Sequence, residues 1–329
     1  MVDRQAWTPL NLGYSVIILS IENDIYLLKF TRRLKMILVT GATGLTGSEV
    51  VRRLSAREVR VRALVRNPAK AAKLSTLPNV EIVEGDMARP ETLSGALKDV
   101  DRAMLISSSA PDMLEVQSNF IEAARKAGVG HVLKLSGIMP ELDSPFRYAR
   151  MHGAIEQKLE ASGMAFTHLR AGEFFTAYFR RVLAIVAKGA LILPMEDARI
   201  ASIDIGDIAE VAVSVLTNRD RHEGKIYPIT GPEALNMTEV AEKLSTATGK
   251  PIHYVNVTPE EARSTNLANG MPPYMADSLF ELFAERRRGK ESQVSTVIPA
   301  IFGWQATRFD EFAARNAAIF RGDEPAPKV

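Results

Sequence analysis

The chain has 329 residues, enough for one large or two modest domains around a substantial core. Its 41 basic and 39 acidic residues leave a net charge of +2, so no strong field points to nucleic acid or an acidic membrane, and neither is expected as a partner. There is no cysteine, which excludes disulfides, thiolate nucleophiles and cysteine metal sites and fits a cytoplasmic protein.

Residues 1–35 differ from the rest. The apolar run 16–21 is interrupted by Glu22 and Asp24 before it is long enough to span a bilayer, and no small-residue cleavage site follows, so neither a membrane span nor a secretory signal is expected. Since Met36 opens the first strand of the fold, residues 1–35 read as an N-terminal extension arising from a misplaced start. A real strand or helix packed on the outside is the alternative, and the sequence does not decide.

Residues 36–47 read M-I-L-V-T-G-A-T-G-L-T-G. Ile37, Leu38 and Val39 have the β-branched, apolar character of a strand buried on both faces. Val50, Val51 and Leu54 follow at helical spacing. Between them Gly41 turns the chain off the strand, Gly44 lets backbone approach a pyrophosphate, and Gly47 brings the helix close to the sheet. The helix N-terminus adds free N–H groups and partial positive charge, so Thr43, Leu45 and Thr46 are also expected to face a diphosphate.

From there strands and helices alternate. Strands are expected at 59–65, 80–83, 103–107, 131–136 and 165–170, with helices near 69–74, 91–97, 113–127 and 148–162. This rhythm predicts an α/β fold, a Rossmann-type doubly wound parallel sheet, with its ligand crevice at the C-terminal strand ends. The dinucleotide-binding Rossmann domain is expected to span 36–170. A smaller, less regular C-terminal substrate region spans 171–329, with parts near 200–230 returning to the core. It carries helices at 174–187, 207–216 and 238–248 and a strand at 225–230.

An NAD-preferring site places an acid about 20 residues past the glycines. Here the second strand ends in Val65-Arg66-Asn67, so Arg66, with Lys70 beyond it, is expected to pair with a 2′-phosphate and favour NADP. Asp86, followed by Met87, ends the third strand. It can accept from an adenine amino group or cap the helix beginning near Pro90, and both readings stay open. Ser107 and Ser108 end the fourth strand within expected reach of a ribose, although serines after a strand are also ordinary turn residues. The five histidines, His131, His152, His168, His222 and His253, form no ligand pair at metal spacing, so no metal is expected.

Together, T-G-A-T-G-L-T-G, R-A-L-V-R-N-P-A-K, L-K-L-S-G and H-G-A-I-E-Q-K-L-E-A-S-G-M-A-F-T-H-L-R-A-G-E-F-F resemble an atypical short-chain dehydrogenase/reductase of the NmrA-like group. That group includes triphenylmethane reductase, NADPH quinone reductases and festuclavine dehydrogenases, and also redox-sensing regulators that bind NADP without catalysis. The resemblance spans residues 36–216. It aligns Ser136 and Tyr148 with the superfamily's catalytic serine and tyrosine and puts His152 where its lysine stands. A neutral imidazole does not replace that cation, so the usual tyrosine relay is weakened.

His152 and Glu156, four apart, can meet on one helical face. His152 can act directly or be a core histidine bonded to backbone. Lys134 shares a strand face with Ser136; it can stand in for the missing lysine, but a strand-end lysine reaching solvent is expected, and it is left outside the catalytic set. Gly172, in Arg170-Ala171-Gly172, is expected to let backbone contact the nicotinamide carboxamide. Glu173, Phe174 and Phe175 are placed beside the nicotinamide, with a core role open for at least one phenylalanine. Asp207 is expected to cap the next helix. Residues 271–283, with Tyr274, form either a lid over a flat apolar substrate or core, and 286–288 a solvated basic face.

These residues predict an NADP-dependent oxidoreductase that transfers hydride to an apolar conjugated acceptor such as a quinone, an imine or a dye-like carbon. The alternative is a non-catalytic NADP(H) sensor that signals to a protein partner. An epimerase or dehydratase would need the intact tyrosine and lysine pair that is absent here.

Overall fold

The computed structural model describes residues 15–21, 24–30 and 36–327. They fall into two compact units that divide at residues 35 and 36. In the first, β1 (Ser15–Ile21) and β2 (Asp24–Phe30) form an antiparallel hairpin with Ser15 opposite Phe30 and Ile21 opposite Asp24. The rest of the reading for residues 1–35 lies outside the described residues.

The second unit is built on a parallel sheet. Its strands are β3 (Met36–Val39), β4 (Val61–Val65), β5 (Val80–Glu84), β6 (Val100–Leu105), β7 (His131–Gly137) and β8 (Ala165–Ala171). After β9 (Ala190–Leu193) the chain returns with β10 (Lys225–Ile229), which pairs in parallel with β8. The seven-stranded order is β10-β8-β7-β6-β3-β4-β5. This is the doubly wound Rossmann arrangement, whose strand order reverses between β3 and β6 and opens a crevice at their C-terminal ends. β9 pairs in parallel with β11 (His253–Asn256) in a separate small sheet.

All four residues of β3 are buried because both faces are covered. Ile37 and Val39 pack with Val50, Val51 and Leu54 of helix Leu45–Ala56 and Ile208, Val211 and Val215 of helix Ile205–Thr217. Met36 and Leu38 face the other layer, made by Phe120 of helix Met113–Lys126 and Ile155 and Leu159 of helix Arg147–Glu160. A third cluster, with Phe175, Phe179, Leu244, Phe309 and Phe312, supports the C-terminal helices. Helix Met237–Thr248 starts at an Asn236/Glu239 capping box and stops at Gly249, where φ is +68°.

The helix expected over 174–187 starts instead as a 3₁₀ segment, Phe175–Arg181, before becoming helix Val182–Lys188. Phe175 and Tyr178, three apart, both turn into the core, a spacing that suits three residues per turn. Helix Ile205–Thr217 is capped by Asp204, which accepts from the Gly206 N–H at 2.6 Å. Asp207, the expected cap, instead accepts from the Thr307 N–H at 2.7 Å and so ties down a distant loop. Among the described residues no helix is long and apolar enough to cross a membrane.

Candidate active site

The turn after β3 is fixed by backbone contacts that leave no space for side chains. Gly41 has φ +58°, which favours glycine, and accepts from the Gly44 N–H at 2.9 Å. A Cβ on Gly47 would lie 2.3 Å from the Gly41 carbonyl oxygen, so only glycine lets the helix begin this close to the strand. Gly44 is exposed and no side chain caps the helix it precedes. Thr43, Leu45 and Thr46 flank this N-terminus, Thr43 and Leu45 exposed and Thr46 buried. Thr40, which the sequence reading passed over, donates to the Ile106 carbonyl at 2.7 Å and accepts from its N–H at 2.7 Å, tying β3 to the end of β6. The open, uncapped turn fits a dinucleotide diphosphate.

Arg66 and Lys70 are exposed, and among the described residues neither meets a carboxylate. Asn67 holds their loop by accepting from the Ala69 N–H at 3.0 Å. Asp86 turns its carboxylate inward along its own loop: it accepts from the Ala88 N–H at 3.0 Å and lies 3.6 Å from Arg89. It is not the cap of the short 3₁₀ segment at Pro90, whose N-cap is Arg89. The carbonyl of Met87 accepts from the Asn119 amide at 3.0 Å.

At the end of β6, Ser107 accepts from the Gln117 amide at 2.8 Å, while the Gln117 Oε1 is buried with no partner. The exposed Ser108 accepts from the Ser107 hydroxyl at 3.2 Å through its carbonyl. Leu105 pairs with Lys134 in the sheet, so Ser107 stands level with Ser136. The Ser136 hydroxyl is also buried and unpartnered. These two unpartnered groups, one on helix Met113–Lys126 and one at the end of β7, are furnished for a polar ligand. Tyr148 is committed elsewhere: its hydroxyl donates to the Ser109 carbonyl at 2.6 Å, and burial pushes its pKa up.

Lys134 departs most from expectation. It does not reach solvent; it is fully buried, with its ammonium donating to the Leu135 carbonyl at 3.2 Å and sharing a 2.8 Å bond with His152 Nδ1. Burial lowers its pKa from 10.5 to about 7, Glu156 works against this and Arg170 with it. Burial and then the nearby Lys134 hold His152 well below its ordinary 6.5, so its ring is neutral at pH 7. The expected His152 and Glu156 pair does not form. Glu156 is held by Arg170 from β8, with Nη2 at 2.6 Å and Nε at 3.2 Å. A planar guanidinium takes a carboxylate in preference to a neutral imidazole.

The other His152 nitrogen lies beside Gly137, the last residue of β7: a Cβ there would sit 3.2 Å from His152 Cδ2 and 3.6 Å from Nε2. Nε2 has no hydrogen bond among the described residues, yet it is not sealed from solvent. Behind this pair, Glu156, Glu160 and His168 bring ligand atoms within 4.8 Å of one another, a grouping invisible in the histidine spacing. Arg170 already neutralises Glu156, and His168 Nε2 lies 3.1 Å from Glu160.

Beyond β8, the Gly172 N–H is spent on the Ile229 carbonyl at 3.0 Å, and a Cβ would lie 2.5 Å from the Ala201 oxygen. The glycine is required by that close approach, and its N–H is not free for a carboxamide. Glu173 is paired with Arg286, which also donates to Glu291 at 2.8 Å. Arg286 is therefore buried rather than on a solvated face. Phe174 is partly buried and bridges to Ile203, whereas Phe175 faces the core between Phe309 and Phe312, not the crevice. Tyr274 opens helix Pro273–Arg287, packs on Tyr148 at 6.1 Å and lies under the Arg147 guanidinium at 4.5 Å. Glu173 also borders a hollow walled by Tyr178, Arg181, Met195, Leu279 and Phe283.

The NmrA-like family model matches residues 33–313. An NAD(P)H azoreductase from Xenophilus azovorans is 39% identical over 285 residues, covering 87% of this chain and 99% of the relative. The NADPH-dependent quinone oxidoreductase QOR2 of Escherichia coli, solved with NADPH, is 30% identical, with TM-score 0.78 over 85% of this chain and 99% of its own. NmrA, a negative transcriptional regulator solved with NAD, has TM-score 0.75 over 89% of this chain and 98% of its own; at 19% identity it shares the fold.

Proposed function

The chain belongs to the NmrA-like family and is an NAD(P)H-dependent reductase, and from this we propose that it prefers NADP(H) and reduces a small conjugated acceptor, a quinone, an imine or a dye-like centre. The observation that carries the cofactor preference is Arg66, an exposed cation at the end of β4 with no carboxylate on it among the described residues and no acid in its place. A guanidinium so placed suits a 2′-phosphate and offers nothing specific to a ribose hydroxyl. Gly41, Gly44 and Gly47 would hold the diphosphate over the helix N-terminus. Ser107, Ser136 and Gln117 would meet the sugar and nicotinamide end.

The nicotinamide, when bound, supplies the hydride. The chain would position the acceptor, and the hollow beside Glu173 offers apolar walls from Met195, Leu279 and Phe283 alongside the cations Arg180, Arg181 and Arg286. The sensor reading calls for a crevice left unfurnished on the nicotinamide side. Ser136 and His152 at the end of β7 favour the reductase.

The test is NADPH and NADH oxidation with and without a panel containing a quinone, an azo dye and a cationic triarylmethane dye. The expected result is acceptor-dependent oxidation with higher kcat/KM for NADPH. Tight NADPH binding without oxidation by any acceptor would replace the reductase with the sensor.

A further inference from the structure

We propose that Lys134 and His152 form a proton relay to the reduced acceptor, with His152 Nε2–H as the donor and Lys134 as the positioning residue that fixes the ring and recharges it. This rests on the hydride-transfer reading above. A buried lysine normally meets a carboxylate. Here the nearby carboxylate, Glu156, is held by Arg170, and the ammonium spends its contacts on the Leu135 carbonyl and His152 Nδ1. An ammonium has only donors, so Nδ1 accepts and the ring proton sits on Nε2. That nitrogen is the one beside Gly137, at the crevice end of β7 and free of any partner among the described residues.

The groups facing Lys134 are consistent with this role. From β8 come His168, its partner in the sheet register, and Arg170; from helix Arg147–Glu160 come His152 and Glu156; β6 supplies Leu105, which carries no charge. Arg170 and burial both disfavour the charged lysine, and only Glu156 supports it. Lys134 therefore titrates near neutrality and can give up a proton without becoming a strong base.

Hydride addition leaves the acceptor with an anionic oxygen or nitrogen. An O–H or N–H bond forms there as the His152 Nε2–H bond breaks, and Nδ1 takes a proton from the Lys134 ammonium. The imidazole stays neutral throughout, in keeping with its suppressed basicity, and Lys134 becomes an amine. After product leaves, water protonates Nε2 and Nδ1 returns its proton to Lys134. One solvent proton is consumed per turnover.

The test compares two acceptors in wild type and Lys134→Met. A quinone needs a proton after hydride addition; a cationic triarylmethane dye becomes neutral on hydride addition and needs none. Quinone turnover by the variant should fall about 100-fold, the scale of a lost acid catalyst, and dye turnover roughly tenfold less than that. Wild-type quinone turnover should decline as pH rises through about 7, and the variant should lose that limb. Equal losses on both acceptors, or an unchanged pH profile, would overturn the relay. Independently of activity, histidine ¹⁵N spectra of cofactor-free wild type should show an Nε2–H tautomer of His152 at pH 7. An Nδ1–H tautomer or an imidazolium there would also overturn it. The spectra decide the matter if Lys134→Met does not fold. If wild type reduces neither acceptor, the hydride-transfer reading has failed and the spectra still read the pair.

Discussion

Arg66 is one side chain whose removal should touch a single parameter. If Arg66 pairs with the 2′-phosphate as proposed, Arg66→Ala deletes a charge-assisted contact of about 1.5–3 kcal/mol, so KM for NADPH should rise about 10- to 150-fold, with KM for NADH and kcat little changed. Steady-state kinetics with both cofactors checks this; parallel losses for NADH would mean that Arg66 does not read the 2′-phosphate. The position was legible because it depends only on strand end and spacing, as did the glycine turn. The Lys134 and His152 contact was not legible, because it depends on how helix Arg147–Glu160 lies over β7. The spacing of His152 and Glu156 suggested a pair within the helix. Arg170, fourteen residues beyond Glu156 on the adjoining strand, supplied a better partner.

Among the elements, helix Pro273–Arg287 was visible only as a methionine and aromatic stretch. Its Leu282 and Phe283 are core, one of the two readings the sequence left open, and Tyr274 packs on Tyr148. What secures it is Glu281, which accepts from the Arg147 backbone N–H at 2.9 Å and its Nε at 2.9 Å, so one carboxylate holds the start of helix Arg147–Glu160 and its side chain together. Burial alone would raise the Glu281 pKa, but the Arg147 hydrogen bonds together bring it below the ordinary 4.5. This depressed pKa means the contact stabilises fully above the unfolded value and is lost as pH falls through the folded one. Glu281→Gln should lower the opening free energy of residues 273–287 by about 1.5–3 kcal/mol and speed their amide exchange accordingly. Exchange mass spectrometry at pH 7 reads this; unchanged protection would show that core packing alone secures the helix. The small β9 and β11 sheet left no clear trace because each strand is four residues long and is defined by its distant partner.

For the molecule as a whole, the parallel sheet and its crevice at the C-terminal strand ends followed from the alternation of strands and helices, whereas the strand order, with its reversal between β3 and β6, came from the structure. The aromatic cluster beneath the C-terminal helices did not follow from the sequence either, because Phe175, Phe309 and Phe312 come together only through tertiary packing. Lys134, finally, has a consequence for acid and base tolerance that is separate from turnover. Its pKa falls from 10.5 unfolded to about 7 folded, so the penalty for a charged amine in the interior is complete below pH 7 and fades as alkali removes that charge. Melting curves of wild type and Lys134→Met should accordingly differ most in the mutant's favour on the acid side, and wild type should gain on it steadily toward pH 10, whatever constant cost the orphaned ring nitrogen adds.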